Sequence, residues 1–267
     1  MKQITFVSLL VGNAAPFYRA LAHYLAARTG LPVAIADQPP WQERQELQAR
    51  GVAQISAVYV RQRDTGAWPI ELLAAPVMRA VRYQGQPVYF SDVLVQAGAP
   101  FGRFADRRGA TWASNEPLSY SGHVVVCAHL AQQGLPPGFF DRVVGSGAHQ
   151  ESLRLLVAGK VDAAAIDSTV LEREQLCQPE LGRLLRLLLT LGPSQTPLLV
   201  VRGLPPEQAQ ALRAALLDMH HDPKGRSLLE AGLVACFVPV EDAYYDAIRR
   251  QLRRAEAYPL LIEGDRG

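Results

Sequence analysis

The chain has 267 residues, of which 49% are hydrophobic and 19% are charged, and its formal net charge is +2. A chain of this length can bury a sizeable core and suits one large domain or two lobes. The near balance of charges excludes the strong positive field that draws nucleic acid or an anionic membrane, and no apolar run is long enough to insert into a bilayer.

Strand-like and helical segments alternate along the first third of the chain. The first predicted helix, over residues 16–28, carries Phe17, Leu21 and Leu25 on one face and ends before Gly30, a good helix terminator. The other elements predicted here are a helix over 41–50 and strands over 4–10, 33–36, 53–60 and 71–77. This alternation predicts a parallel sheet covered by helices.

Apolar segments separated by polar turns continue through the rest of the chain. Strands are predicted over residues 88–96, 110–113, 142–144, 163–166 and 198–202. Helices are predicted over 121–133, 149–158, 206–220 and 244–257, with a short helix and turn over 103–109. The apolar strands near 88–95 and 198–201 are candidates for the crossings between two lobes.

The first residues, MKQITFVSLLVGNAAP, have two interpretations. They hold one early Lys and about eight apolar-leaning residues, which is near the lower limit for the core of a signal peptide. We favour a first strand over residues 4–10. The protein is then expected in the periplasm or at the cell surface if an export signal has been removed, and in the cytoplasm otherwise.

The three cysteines, Cys127, Cys177 and Cys236, are an odd set without CxxC spacing. This pattern argues against a disulfide framework and against a zinc site. Cys127 and Cys236 lie in apolar runs and are most simply buried thiols. A single bridge from Cys177 to either of the others stays open. We predict no metal and no cofactor.

Two predicted helices begin with small polar residues. Ser119, Tyr120, Ser121 and Gly122 open the first, and Gly145-Ser146-Gly147 precedes His149 at the second. A helix start exposes unpaired backbone N–H groups with partial positive charge, so two such starts together predict an oxyanion site that needs little formal charge. The alternative is that the serines and His149 only cap their own helices.

Asp167 ends an apolar, strand-like run, and Glu116 lies in the turn Glu-Pro-Leu before the first of these helices. A carboxylate repels an oxyanion, so Asp167 is expected to face the distal, cationic part of a ligand. Its alternative role is to cap a helix over 168–174, and both roles are compatible. Glu116 is a weaker binding candidate because its turn explains it equally well.

Taken together, these motifs resemble the phosphate and phosphonate substrate-binding proteins of ABC transporters. The order and spacing of the motifs carry the resemblance, since each motif alone is weak. They are Pro87-Val88-Tyr89-Phe90-Ser91-Asp92, Asn115-Glu116-Pro117, Ser119-Tyr120-Ser121-Gly122, Ser146-Gly147-Ala148-His149-Gln150 with Ser152, and Gly159-Lys160-Val161-Asp162 followed by Ala163-Ala164-Ala165-Ile166-Asp167-Ser168.

The resemblance implies an α/β, two-lobed fold of the type II periplasmic-binding-protein kind. Each lobe is then a mixed sheet flanked by helices, with a ligand cleft between the lobes. Residues 1–88 and 200–267 are expected to form a discontinuous first lobe, and residues 89–199 the second.

The resemblance also implies roles for single residues. Ser119, Tyr120, Ser121, Gly122 and His149 are expected to hold the anion, and Asp167 the ligand's amine. Two aromatic side chains of the first lobe, Tyr59 and Tyr83, are expected to line the cleft, although aromatic residues are more often core. Here the chain departs from the family, because Ser56-Ala57-Val58-Tyr59-Val60 replaces the usual Gly-x-Pro-Tyr segment.

The predicted function is therefore a solute-binding protein, not an enzyme. It is expected to capture a small phosphonate, phosphate ester or related oxyanion for ABC permease subunits. The alternative is a sensing module with the same fold. An enzyme is less favoured because the chain lacks the GxSxG, Walker, GxGxxG and HExxH motifs.

Overall fold

The computed structural model describes residues 3–10, 12–39, 41–58, 70–100, 102–117, 119–136, 138–256, 258, 260 and 262. The chain divides into two compact units. The first unit comprises Met1–Val88 and Gln195–Asp246, and the second unit comprises Tyr89–Ser194 and Ala247–Gly267.

Strands and helices alternate over much of the chain, as predicted. The strands are β1 (Ile4–Ser8), β2 (Val33–Ile35), β3 (Ile55–Val58), β4 (Glu71–Met78), β5 (Val88–Gln96), β6 (Thr111–Ser114), β7 (Arg142–Gly145), β8 (Ala163–Asp167), β9 (Leu185–Gln195), β10 (Leu198–Val201) and β11 (Val234–Val238).

The α-helices are α1 (Ala15–Thr29), α2 (Trp41–Ala49), α3 (Val125–Gln132), α4 (His149–Val157), α5 (Ser168–Cys177), α6 (Leu181–Leu184), α7 (Pro206–Leu217), α8 (Pro223–Ala231) and α9 (Asp246–Glu256). A π-helical segment, Tyr120–Val124, leads directly into α3. Short 3-10 turns cover Gly12–Ala14, Val81–Tyr83, Phe104–Arg107 and Asp242–Tyr245.

The sheet of the first unit has the strand order β11-β4-β10-β3-β1-β2. β1 pairs in parallel with β2 and β3, because α1 and α2 return the chain to the same edge. Helix α1 buries Leu21 and Leu25 and ends at Gly30, whose φ of 70° is left-handed, which confirms it as the terminator. β10 runs antiparallel to β3 and β4, and β11 antiparallel to β4, so the sheet is mixed and not parallel throughout.

The sheet of the second unit has the strand order β7-β6-β8-β5-β9. β6 is parallel to β7 and β8, whereas β5 is antiparallel to β8. One core cluster brings Leu94, Ala164 and Ile166 of the strands together with Leu153 and Leu156 of α4. The carboxyl ends of β6, β7 and β8 therefore lie at one edge of this sheet, and β5 begins there.

The sequence pattern does not predict four of the elements. They are α6, β9, α8 and β11. The sequence of β9, LRLLLTLGPSQ, is rich in Leu, which suits a buried helix as well as a strand, so its pattern did not distinguish the two. The final helix was predicted over residues 244–257, but α9 begins at Asp246 after a 3-10 turn.

The unit boundaries differ from the predicted lobes at two places. Gln195 and the residues up to 199 belong to the first unit, and Ala247–Gly267 belongs to the second unit instead of the first. Two described residues of this segment pack there: the Tyr258 hydroxyl donates to the Leu135 carbonyl oxygen, and Ile262 is buried beside Gly145. No local sequence signal indicates which of the two units this segment joins.

The cysteines are all free thiols. Cys127 is buried, as predicted, and burial raises its pKa to about 11, whereas Cys236 is half-buried and Cys177 is exposed. Within the described ranges, no helix combines the length and apolar content that a membrane crossing requires. The same residues contain no group of three or more His, Cys, Asp or Glu side chains placed to hold a metal ion.

Candidate anion-binding site

Polar side chains gather at the carboxyl edge of the second unit's sheet. Ser114 ends β6 and Asp167 ends β8, while Ser91 of the antiparallel β5 pairs directly with Asp167. Helices follow the ends of these parallel strands, so helix starts and polar residues meet at one edge. This is the edge at which open α/β sheets bind ligands.

The first helix start is a π-helical turn. Ser119 is its N-cap, and its hydroxyl accepts a hydrogen bond from the Gly122 N–H at 3.2 Å. The predicted capping role of Ser119 is thus present. π-Helical turns are uncommon and frequently occur at functional sites. The turn opens a continuous helical segment through α3, whose first backbone N–H groups lack helical partners.

The second helix start meets the first. His149 is the first residue of α4, and its Nε2 lies 3.0 Å from the Ser121 hydroxyl. Both side chains are only 1% exposed. From the sheet side, the Ser91 hydroxyl donates to the Ser121 carbonyl oxygen. Two segments that the sequence separates by 28 positions are therefore joined through one hydrogen bond.

Gly122 allows this close approach. A Cβ atom at this position would lie 1.8 Å from Asn115 Oδ1 and 3.0 Å from His149 Cε1. No side chain is accommodated at those separations without moving a neighbour. The absence of a side chain at Gly122 therefore leaves room for the Asn115 side chain and the His149 ring.

His149 is neutral at pH 7. Burial disfavours its charged form and lowers its pKa to about 4. A backbone contact with Ala165 raises the pKa of His149, by less than burial lowers it. The Nδ1 atom has no hydrogen-bond partner of normal geometry within the described residues. The positive potential at this edge therefore comes from backbone N–H groups and not from an imidazolium.

Asp167 is buried and has an elevated pKa. Its Oδ1 caps α5 by accepting from the Thr169 N–H at 2.8 Å and the Thr169 hydroxyl at 2.7 Å. Burial raises its pKa to about 6 against these hydrogen bonds, and the nearby Asp92 adds to the rise. The capping role weighed from sequence is thus present. Half-buried Glu116 also has a raised pKa because of burial.

Tyr120 offers its backbone at the helix start while its side chain packs away. The ring is buried, with its centroid 6.4 Å from that of Tyr89. Its hydroxyl oxygen accepts from the Ser194 hydroxyl at 3.4 Å, and burial raises its pKa. The phenol is therefore a weaker candidate for anion contact than the sequence suggested.

The two aromatic candidates of the first unit do not strengthen the site. Tyr59 lies outside the described residues. Tyr83 was expected to line a cleft, but it is fully buried in the 3-10 turn Val81–Tyr83, with the Arg82 guanidinium 5.9 Å from its ring centroid. This burial favours the commoner role of an aromatic side chain as part of the core.

Comparison with known proteins places the chain in a family. Residues 13–245 match the family of periplasmic substrate-binding proteins of ABC phosphonate transporters. The chain belongs to this family. The family is the substrate-binding component of a transporter and not an enzyme, which confirms both predictions.

Solved structures share the fold of this phosphonate-family binding protein. A binding component of an ABC phosphonate transporter from Pseudomonas aeruginosa is 19% identical, with a TM-score of 0.81 over 95% of this chain and 86% of that chain. PhnD1 of Prochlorococcus marinus, in complex with methylphosphonate, is 14% identical, with a TM-score of 0.79 over 96% and 98%. These likenesses confirm the type II periplasmic-binding-protein fold. No curated protein sequence matches the chain.

Several polar residues of this binding protein were not predicted as part of the site. Asn115 and Ser91 belong to motifs that carried the family resemblance, but nothing in their spacing indicated contact with Gly122 and Ser121. In addition, the Ser114 hydroxyl lies 2.9 Å from His123 Nδ1, and the hydroxyl oxygens of Ser146 and Ser152 lie 2.6 Å apart. Small polar residues at strand ends are the only local signal for this network.

Proposed function

We propose that this substrate-binding protein captures a small tetrahedral oxyanion of the phosphonate class at the two helix starts of its second unit. Ser119, Ser121, Gly122 and His149 contact the anion with side chains or backbone amides, and Tyr120 contributes its backbone. The observation that carries the proposal is the 3.0 Å contact between Ser121 and His149, because it brings two sets of helical N–H groups together.

The charge balance at this edge supports an oxyanion guest. None of the proposed contacts is Lys or Arg, and His149 is neutral because its pKa is about 4. Helix starts favour an anion without the desolvation cost of a buried cation. The His149 ring holds the Ser121 hydroxyl at 3.0 Å, beside the backbone amides of the π-helical turn.

Asp167 is proposed to select the distal part of the ligand. A buried carboxylate at this edge repels the oxyanion and attracts an amine or a hydroxyl donor. Glu116, half-buried in the turn before Ser119, is a secondary candidate for the same role. Delivery of the ligand to ABC permease subunits, and a location in the periplasm, are proposed from the family to which the chain belongs.

Replacing Ser121 with alanine tests the proposal. The change removes one donor to the anion, so we expect the affinity for methylphosphonate to fall about tenfold with little change in fold. Isothermal titration calorimetry measures this, with Ser227→Ala on the exposed face of α8 as the matched control. A folded wild-type protein that binds none of methylphosphonate, phosphate or sulfate would contradict the proposed function.

Replacing Asp167 with asparagine tests the distal contact. Asparagine still caps α5, so the fold is preserved while the charge is lost. We expect the preference for 2-aminoethylphosphonate over methylphosphonate to fall about tenfold at pH 7.5, since the amine loses its charged partner. In the wild type the same preference should weaken toward pH 5, below the pKa of about 6. An unchanged preference in the variant would rule out this role.

A further inference from the structure

A groove on the second unit has no role in the proposed anion site. It lies between α4, α5 and α6, and its volume of about 720 Å³ is within the range of small-molecule sites. The side chains that line it belong to residues 148–158, 174–178 and 180–184. Neither Ser121 nor His149 is among them. A molecule in this groove therefore does not compete for the atoms proposed to hold the anion.

The floor of this groove is apolar. Leu153 of α4 and Leu181 of α6 line it and belong to the buried core cluster of the unit. Val157 packs against the same cluster, and Leu184, at the end of α6, is 45% exposed. Water in the groove thus contacts apolar surface on several sides. An apolar guest that displaces this water gains free energy in proportion to the area it covers.

The rim of the groove is negatively charged. Three of its described lining residues are Glu and one is Arg, which gives a formal charge of −2. The arginine, Arg154, is already paired, because its Nε donates to Glu151 Oε2 at 2.7 Å. Glu174 accepts hydrogen bonds from the neutral side-chain amides of two glutamines at 3.0 and 3.3 Å, and Glu180 is exposed. This rim therefore attracts a cationic group and repels an anionic one.

We propose that this groove is a second binding site, whose ligand is a small organic cation with an apolar body. The cationic group lies at the rim beside Glu174 and Glu180, and the apolar body covers Leu153, Leu181 and Leu184. The charge of this ligand is opposite to that of the oxyanion proposed for the helix starts. The inference goes beyond the proposed function and does not depend on it, since the two sites share none of their proposed contacts.

Calorimetric titration of the full chain with n-octylammonium chloride tests the inference, with sodium octanoate as the anion of equal chain length. We expect saturable binding of octylammonium to the wild type, and binding of octanoate at least about tenfold weaker. The double variant Glu174→Gln with Glu180→Gln should weaken octylammonium binding about tenfold, and Leu184→Ala about fivefold. Two exposed residues that do not line the groove supply matched controls, Glu207→Gln and Leu176→Ala, and neither should change the affinity.

Several outcomes would overturn this inference without touching the proposed function. They are the absence of saturable octylammonium binding, equal affinity for octanoate, and wild-type affinity in either the double variant or Leu184→Ala. Asp167→Asn should bind octylammonium as the wild type does, whereas loss of binding there would place the cation at the anion site and overturn the inference. Conversely, a folded protein that binds octylammonium as expected but no phosphonate, phosphate or sulfate would overturn only the proposed function.

Discussion

Replacing Gly122 with alanine is expected to weaken methylphosphonate binding by roughly 100-fold. The new Cβ would lie 1.8 Å from Asn115 Oδ1, and His149 Cε1 blocks the other side at 3.0 Å. The buried Asn115 side chain or the π-helical turn has to move. Either movement disturbs the contact between Ser121 and His149 that joins the two helix starts. Overpacking of this kind also costs about 1–3 kcal/mol of stability.

Calorimetry and urea unfolding measure the two effects of this substitution. Gly182→Ala is the matched control, because Gly182 lies in α6 of the same unit and a Cβ there meets nothing within 4 Å. The double variant Gly122→Ala with Asn115→Ala relieves the shorter clash and should recover part of the stability. Wild-type affinity in Gly122→Ala would show that the turn does not form the binding site.

Relative to the wild type, the free energy of unfolding is expected to change with pH in opposite directions in the two single variants Asp167→Asn and His149→Gln. Asp167 has its pKa raised from 3.8 to about 6, so the folded state retains a proton that the unfolded chain loses, and stability falls as pH rises from about 4 to 6. His149 has its pKa lowered from 6.5 to about 4, so the unfolded chain takes up a proton first, and stability falls as pH drops from about 6.5 to 4. Each contribution is about 3 kcal/mol and the two nearly cancel in the wild type.

Removing one of the two groups should reveal the pH dependence of stability that the other group contributes. In Asp167→Asn the histidine remains, so stability should rise with pH from 4 to 6.5 by about 3 kcal/mol more than in the wild type. In His149→Gln the carboxyl remains, so stability should fall by a similar amount from pH 4 to 6. Urea unfolding at several pH values measures the differences from wild type, which cancel the other titrating groups. Parallel pH profiles in all three proteins would contradict the burial of these groups.

The sequence itself determined those features that depend on neighbouring residues. Strand β5 occupies the predicted residues 88–96, and the glycine at position 30 ends α1, because apolar patterning and left-handed termination are local properties. The same holds for the polar openings of the two helices and for Asp167 at the end of β8. Each follows from capping chemistry that spans three or four residues.

Only the tertiary structure decided how these local features meet. Asn115 lies against Gly122 and His149, Tyr83 is buried in the core, and Tyr258 and Ile262 pack in the second unit. The pKa values of Asp167 and His149 likewise depend on burial. The reason is physical: burial and hydrogen-bond satisfaction are set by groups that are distant in sequence, so no local pattern records which buried oxygen lacks a donor.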